Sequence, residues 1–177
     1  MAQRMLVTGG AASGKSHFAE GLMGAFKGRL CYLATAQPVD VEMEERIRRH
    51  RARRGENWDT VEEPLMLPQT LARVDGVYSA ILIDCVTVWL SNQLLSYDEN
   101  DPEAEESVLG SVHRLCGTLR SMTTPVVMVT NEVGLSLVPE YRLGRLFRDI
   151  SGQANQIIAS ACDEVHLVVS GLSVKLK

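Results

Sequence analysis

The chain predicts an α/β fold, a mostly parallel sheet with helices on both faces, and three observations predict it. Short apolar runs rich in Val, Ile and Leu recur along the sequence. Longer stretches with apolar residues every three or four positions separate most of them. The first run breaks into a glycine-rich turn that leads straight into a helical pattern. Parallel neighbours need crossovers, and the intervening helices supply them. With 177 residues, 45% of them apolar and 23% charged, the sequence fits one domain spanning 1–177.

In chain order, Met5 to Thr8 reads as the first buried strand, and a helix starts at Ser16 and runs toward Phe26. Four further runs read as buried strands: Leu30 to Ala34, Ala80 to Ile83, Val126 to Val129 and Val165 to Val169. Asp101 followed by Pro102 reads as an N-cap and first turn, after which Val108, Val112, Leu115, Cys116, Leu119 and Met122 keep one apolar stripe. A second stripe carries Leu143, Leu146, Phe147, Ile150, Ala154, Ile157, Ile158 and Ala161.

Composition excludes several classes of function. A net charge of -4 argues against a general nucleic-acid binder. No apolar run approaches the ~20 residues of a membrane span, and the N-terminus lacks a secretory pattern, so a cytoplasmic location is expected. Cys31, Cys85, Cys116 and Cys162 are far apart, which indicates buried thiols rather than zinc ligands or a disulfide framework.

The turn carries the chemistry. Gly9, Gly10, Ala11, Ala12, Ser13, Gly14, Lys15 and Ser16 match the phosphate-loop pattern G-x-x-x-x-G-K-[ST]. Backbone N–H groups of such a loop wrap a β-phosphate, the lysine neutralises β and γ oxygens, and the serine ligates Mg2+. A strand before it and a helix after it, with its positive end toward the anion, are the context that the pattern needs. Open sheets of this kind bind ligands beyond the carboxyl ends of their strands, so Thr35, Asp84, Thr130, Asn131, Glu132 and Ser170 become candidates by position. Asp84 ends the apolar run "AILID" as a Walker B carboxylate does, which makes it a second Mg2+ ligand. Asn131 and Glu132 are expected to sense the γ-phosphate or to bind the acceptor. His17, His113 and His166 read as packed or solvated side chains.

Six of the 18 basic residues fall between Arg46 and Arg54, inside "EMEERIRRHRARRGENWDTVEEP", residues 42 to 64. On a helix Met43, Ile47, His50 and Arg54 share a face, with Arg46 and Arg53 flanking the histidine. Guanidiniums disfavour an imidazolium and bind polyphosphate, so His50 is a candidate neutral nucleophile. A solvated basic helix face accounts for the same composition.

The chain resembles the bifunctional adenosylcobinamide kinase and adenosylcobinamide-phosphate guanylyltransferase family of cobalamin biosynthesis. The resemblance runs over essentially the whole length and rests on "LVTGGAASGKS", "YLATA", "RIRRHRARRGENWDTVEEP", "ILIDCVTVWLSN" and "VTNEVGLSLVPEYRLGRLFRDISGQANQ". It implies a RecA-like P-loop NTPase fold, a homotrimer, and two reactions. ATP or GTP first phosphorylates the aminopropanol hydroxyl of adenosylcobinamide. A histidine, here His50, then takes GMP from GTP and passes it to adenosylcobinamide phosphate. The resemblance further implies nucleotide contacts at residues 9 to 16, Ala34, Thr35, Ala36, Arg51, Ala52, Arg53, Arg54, Glu62 and Asp84. The sequence departs from the family where Ala12 replaces a common basic residue and Gly55 a common proline. Two other readings use the same loop: a small-metabolite kinase that leaves His50 idle, and a nucleotide-switch module without a phosphoryl acceptor.

Overall fold

The computed structural model describes residues 3–37 and 55–177. Strand β1 (Arg4–Gly9) leads through the glycine-rich turn into helix α1 (Lys15–Met23), and β2 (Leu30–Ala34) follows. Next come β3 (Trp58–Glu62), α2 (Leu67–Val74), β4 (Ala80–Asp84), α3 (Val86–Leu94) and α4 (Ala104–Ser121). The chain continues through β5 (Val126–Val129), a single 3-10 turn (Val133–Leu135), α5 (Arg142–Ala161), β6 (Glu164–Val169) and β7 (Leu172–Lys175).

The strands form one seven-stranded sheet in the order β3-β2-β4-β5-β1-β6-β7. Every pair is parallel except the β6–β7 hairpin at the edge. Strand residues alternate between two cores because successive side chains point to opposite faces. Leu6, Ile81, Ile83, Val126 and Met128 face a large core built with Leu67, Trp89, Val112, Leu115 and Ile150 from α2 to α5. Met5, Val7, Leu82, Val127 and Val129 face a smaller one with Ala19 and Met23 of α1. Among the described residues, helices therefore cover both faces, with α2 to α5 on one side and α1 on the other.

The five predicted strands are present, with β1, β4 and β6 each slightly longer than the apolar run that marks them. Both predicted stripes are helical except at Met122, the extended C-cap just past α4, and Val108, Val112, Leu115, Cys116, Leu119, Ile150, Ala154 and Ile158 are buried. The cap at Asp101 is corrected: α4 starts at Ala104 with Glu103 as its N-cap, and Asp101 instead accepts the Glu103 N–H at 2.8 Å to close a turn before the helix. The strands β3 and β7 are unpredicted. Their residues are only partly buried or exposed, so neither shows an apolar run. The four cysteines are buried and unbridged, as expected of packed thiols.

Candidate functional site

Register aligns the carboxyl ends of the strands. Glu62 of β3 lies beside Ala34 of β2, Ala34 beside Asp84 of β4, Asp84 beside Val129 of β5, and Val129 beside Val7 of β1. One row across the sheet thus carries Glu62, Ala34 and Asp84, and the glycine-rich loop begins just past the row's end at Val7. Thr35, Ala36, Thr130, Asn131 and Glu132 project beyond it on the same edge.

The loop is held by main-chain contacts. A side chain at Gly9 would collide with the Val168 carbonyl oxygen of β6 and approach Ser13 Oγ to 2.7 Å, so only glycine fits. Gly14 has a φ of +94° and lies against Gly171, whose Cα is 3.2 Å from where a Cβ would be. The Gly171 N–H donates to the Ser13 carbonyl at 2.8 Å and the Ser13 N–H to the Gly10 carbonyl at 3.3 Å. The β6–β7 turn therefore props the loop from below. Gly14 is also the N-cap of α1 and offers no side-chain cap, which leaves the first-turn N–H groups of the helix for an anion. Lys15 Nζ reaches back to the Gly10 carbonyl at 2.9 Å. Gly10, Ala11 and Ala12 are exposed, and Ala12 adopts a left-handed φ of 55°.

Asp84 ends β4 beside the loop and accepts the Tyr32 hydroxyl at 3.1 Å. Burial pushes the Cys85 thiol up to about 12, the adjacent Asp84 carboxylate adds to the rise, and the Lys15 ammonium opposes it. Lys15 and Asp84 are thus both close enough to act on the same buried thiol. Ser16, in the first turn of α1, supplies a hydroxyl. A hydroxyl and a carboxylate are hard oxygen donors of the kind that Mg2+ takes alongside phosphate and water.

Thr35 is fully buried and forms a two-way latch to the next strand: its Oγ1 accepts the Cys85 N–H at 2.9 Å and donates to the Cys85 carbonyl at 2.7 Å. Asn92 of α3 ties the same segment down, its Nδ2 donating to the Thr35 carbonyl at 2.9 Å and to the Pro64 carbonyl at 3.1 Å. Asn131 and Glu132 meet a polar network. Thr87 accepts the Asn131 N–H at 2.7 Å, Thr130 donates to Asn155 Oδ1 at 2.8 Å, and Thr8 donates to the Glu132 carboxylate at 2.5 Å.

The structure therefore brings residues 9 to 16, Ala34, Thr35, Ala36 and Asp84 to one edge, with Glu62 at its far end. His50, Arg51, Ala52, Arg53 and Arg54 lie outside the described residues. His166 packs against Phe18 and bonds Glu164 at 3.1 Å, while His17 and His113 are exposed. Sequence reasoning missed Thr8, Thr87, Asn92 and Asn155. Each is an ordinary polar residue inside an apolar stripe or run, and only its burial against a strand end would have singled it out.

Fold and loop together define a P-loop protein of RecA-like architecture, built to hold a nucleoside polyphosphate. An ATPase of the type III secretion system of pathogenic bacteria superposes with a TM-score of 0.55 at 14% identity, covering 98% of this chain and 56% of that one. The RadB recombinase does so at 0.50 and 12%, covering 93% and 73%. At such identities the likeness shows the fold alone. The family model for cobinamide kinase / cobinamide phosphate guanyltransferase matches residues 5–176, and the chain belongs to that family. It is 43% identical over 180 residues to the bifunctional adenosylcobalamin biosynthesis protein CobU of Escherichia coli K12, covering 98% of this chain and 99% of that protein. The CobU of Salmonella typhimurium LT2 matches equally, and the bifunctional protein CobP of Pseudomonas aeruginosa is 41% identical over 175 residues, with 98% and 97% covered.

Proposed function

We propose that this chain catalyses two successive transfers on one acceptor: phosphorylation of the adenosylcobinamide hydroxyl from ATP or GTP, then transfer of GMP from GTP to adenosylcobinamide phosphate. The observation that carries this reading is a phosphate loop and a strand-end carboxylate on one sheet edge, in a chain 43% identical over nearly its whole length to bifunctional relatives. In the first transfer the acceptor hydroxyl attacks the γ-phosphorus and a nucleoside diphosphate leaves. The loop amides and Lys15 hold the donor and neutralise it. Ser16 and Asp84 would hold Mg2+, which when bound supplies positive charge to the β and γ oxygens.

In the second transfer His50 attacks the α-phosphorus of GTP, pyrophosphate leaves, and the acceptor phosphate takes GMP from the imidazole. Arg51, Arg53 and Arg54 neutralise the departing charge, an electrostatic role that supplies several kcal/mol in such reactions. Ala36 and Glu62 line the nucleotide at the sheet edge, and the buried Thr35 fixes the segment that carries Ala36. Burial raises the thiols of Cys31, Cys85 and Cys162 to about 12. These three thiols are thereby poor nucleophiles.

No helix among the described residues is long and apolar enough to cross a membrane. The reading includes a cytoplasmic enzyme assembled as a homotrimer, with the exposed Leu172, Val174 and Leu176 of the edge strand and its tail as apolar surface for contact. Light scattering would then return three times the 19.5 kDa chain.

His50→Ala tests the division of labour. The variant is expected to keep adenosylcobinamide phosphorylation within about tenfold of wild type while losing GMP labelling and adenosylcobinamide-GDP formation. The wild-type adduct should be acid-labile and base-stable, as a phosphoramidate is. GMP labelling of His50→Ala would move the nucleophile elsewhere.

A further inference from the structure

We infer that Glu132 receives the proton of the acceptor hydroxyl during phosphoryl transfer. The inference rests on the kinase half of the proposed function and assigns the residue that this step still lacks.

Position comes first. Strand β5 runs between β4, which ends in Asp84, and β1, which opens the phosphate loop, with Asp84, Val129 and Val7 in one row. Glu132 lies three residues past that row, so its segment emerges between the strand-end carboxylate and the loop. The Glu132 N–H donates to the Gly9 carbonyl at 3.1 Å, which fixes its backbone to the first residue of the loop. Lys15 Nζ is bonded to the next carbonyl, that of Gly10. The Glu132 backbone and the ammonium of Lys15, the residue that holds β and γ oxygens in loops of this type, are thus tied to adjacent carbonyls of the loop.

Orientation comes second. Thr8, only 4% exposed, donates to Glu132 Oε1 at 2.5 Å, and Asn155 Nδ2 donates to the same oxygen at 3.3 Å. Asn155 is itself fixed by Thr130 and by the Asn131 carbonyl. Both donors fall on Oε1, and none of the described hydrogen bonds engages Oε2. One oxygen is clamped and the other is left to a substrate. A carboxylate that served only to brace the loop would need no such division.

The step balances. The acceptor oxygen bonds to the γ-phosphorus, the bond from that phosphorus to the β-bridging oxygen breaks, a nucleoside diphosphate departs, and the hydroxyl proton passes to Oε2. A positioned carboxylate of this kind contributes about 10²- to 10⁴-fold to proton transfer. Guanylyl transfer starts from a phosphate acceptor and has no hydroxyl proton to remove, so it does not need this group.

Glu132→Gln keeps an acceptor for Thr8 and removes the base. Its cobinamide kinase kcat is expected to fall about 100-fold or more, with KM for the nucleotide within about threefold and GMP labelling from radioactive GTP within about twofold of wild type. Glu132→Asp should recover part of the kinase rate. Kinase turnover by Glu132→Gln within about fivefold of wild type would overturn the inference. Parallel loss of labelling, nucleotide affinity and kinase rate would also overturn it, making Glu132 a strut of the loop. A wild-type protein that phosphorylates no cobinamide would sink the proposed function and this inference with it, whereas an active wild type beside an active Glu132→Gln sinks this inference alone.

Discussion

The two halves of the sheet edge are built differently. At the phosphate loop, geometry is set by the main chain: Gly9 fits under the Val168 carbonyl, Gly14 turns against Gly171, and Gly171 bonds the Ser13 carbonyl. At the ends of β2 and β4, side chains do the fastening. Thr35 latches Cys85 in both directions, Asn92 holds Thr35 and Pro64, and Tyr32 holds Asp84. The difference teaches where tolerance lies. A main-chain cradle fails when atoms are added to it, and a side-chain latch fails when atoms are removed.

Lys15→Ala is the exception within the loop and carries the largest expected effect. In the proposed function its ammonium neutralises the donor phosphates directly, so both transfers should slow by about 1000-fold, roughly 4 kcal/mol of transition-state stabilisation. Steady-state assays of each half-reaction measure this. Wild-type turnover in either would show that the loop does not hold that donor.

Gly9→Ala tests the main-chain half directly. One added methyl group meets the Val168 carbonyl and Ser13 Oγ, and two backbones must separate to admit it. Overpacking of this kind costs about 1 to 3 kcal/mol. A thermal melt several degrees below wild type, together with weakened nucleotide binding, is the expected outcome. An unchanged melt would mean that the loop yields freely, and the contrast between the two regions would break.

The same contrast explains what was legible in the sequence. The loop could be read because its backbone admits few residue types, so glycine spacing is a direct record of shape. Buried strands β2, β4 and β5 could be read because both faces are covered and the run is continuously apolar. The latch could not. Thr35 and Asn92 are common residues whose roles depend on contacts 50 and 57 positions apart in the chain, and no local pattern encodes those. Strand β3 escaped for a related reason: "WDTVE" is a half-buried edge strand following a highly charged stretch, and its pairing with β2 sets its structure more than its composition does. Glu132 was placed by the strand-end rule alone, while its clamp by Thr8 and Asn155 needed the fold.

Thr35→Val sharpens the other side. Valine fills the same space but leaves the Cys85 N–H and carbonyl without the partner that Thr35 supplies in a fully buried site. The expected loss is about 2 kcal/mol, a fall of roughly 4 to 8 °C in Tm for a chain of this size. Thr35→Ser retains the hydroxyl and should recover most of it. If valine melts with wild type, Thr35 is packing rather than latch.

The smallest effect belongs to Glu63, which extends the latch to the start of α2. Its Oε1 accepts the N–H groups of Leu65 and Met66 at 3.0 and 2.7 Å, and its Oε2 accepts the Thr70 hydroxyl at 3.0 Å. Burial raises the carboxyl, but the Met66 and Leu65 amides, Thr70 and the Arg73 guanidinium outweigh it and hold Glu63 below the ordinary glutamate value. A depressed folded-state value means that the charge contributes stability in full above the unfolded value, near 4.3, and loses it as pH falls through the folded one. Glu63→Gln keeps an amide oxygen for the backbone donors and removes only the charge, so the cost at pH 7 should be about 1 kcal/mol or less. Melting curves of both proteins should differ by roughly 2 to 4 °C at pH 7 and converge as the pH is taken below about 4. A gap that stays constant down to acid pH would assign the effect to shape instead of charge, leaving Glu63 outside the set of side chains that fasten this edge electrostatically.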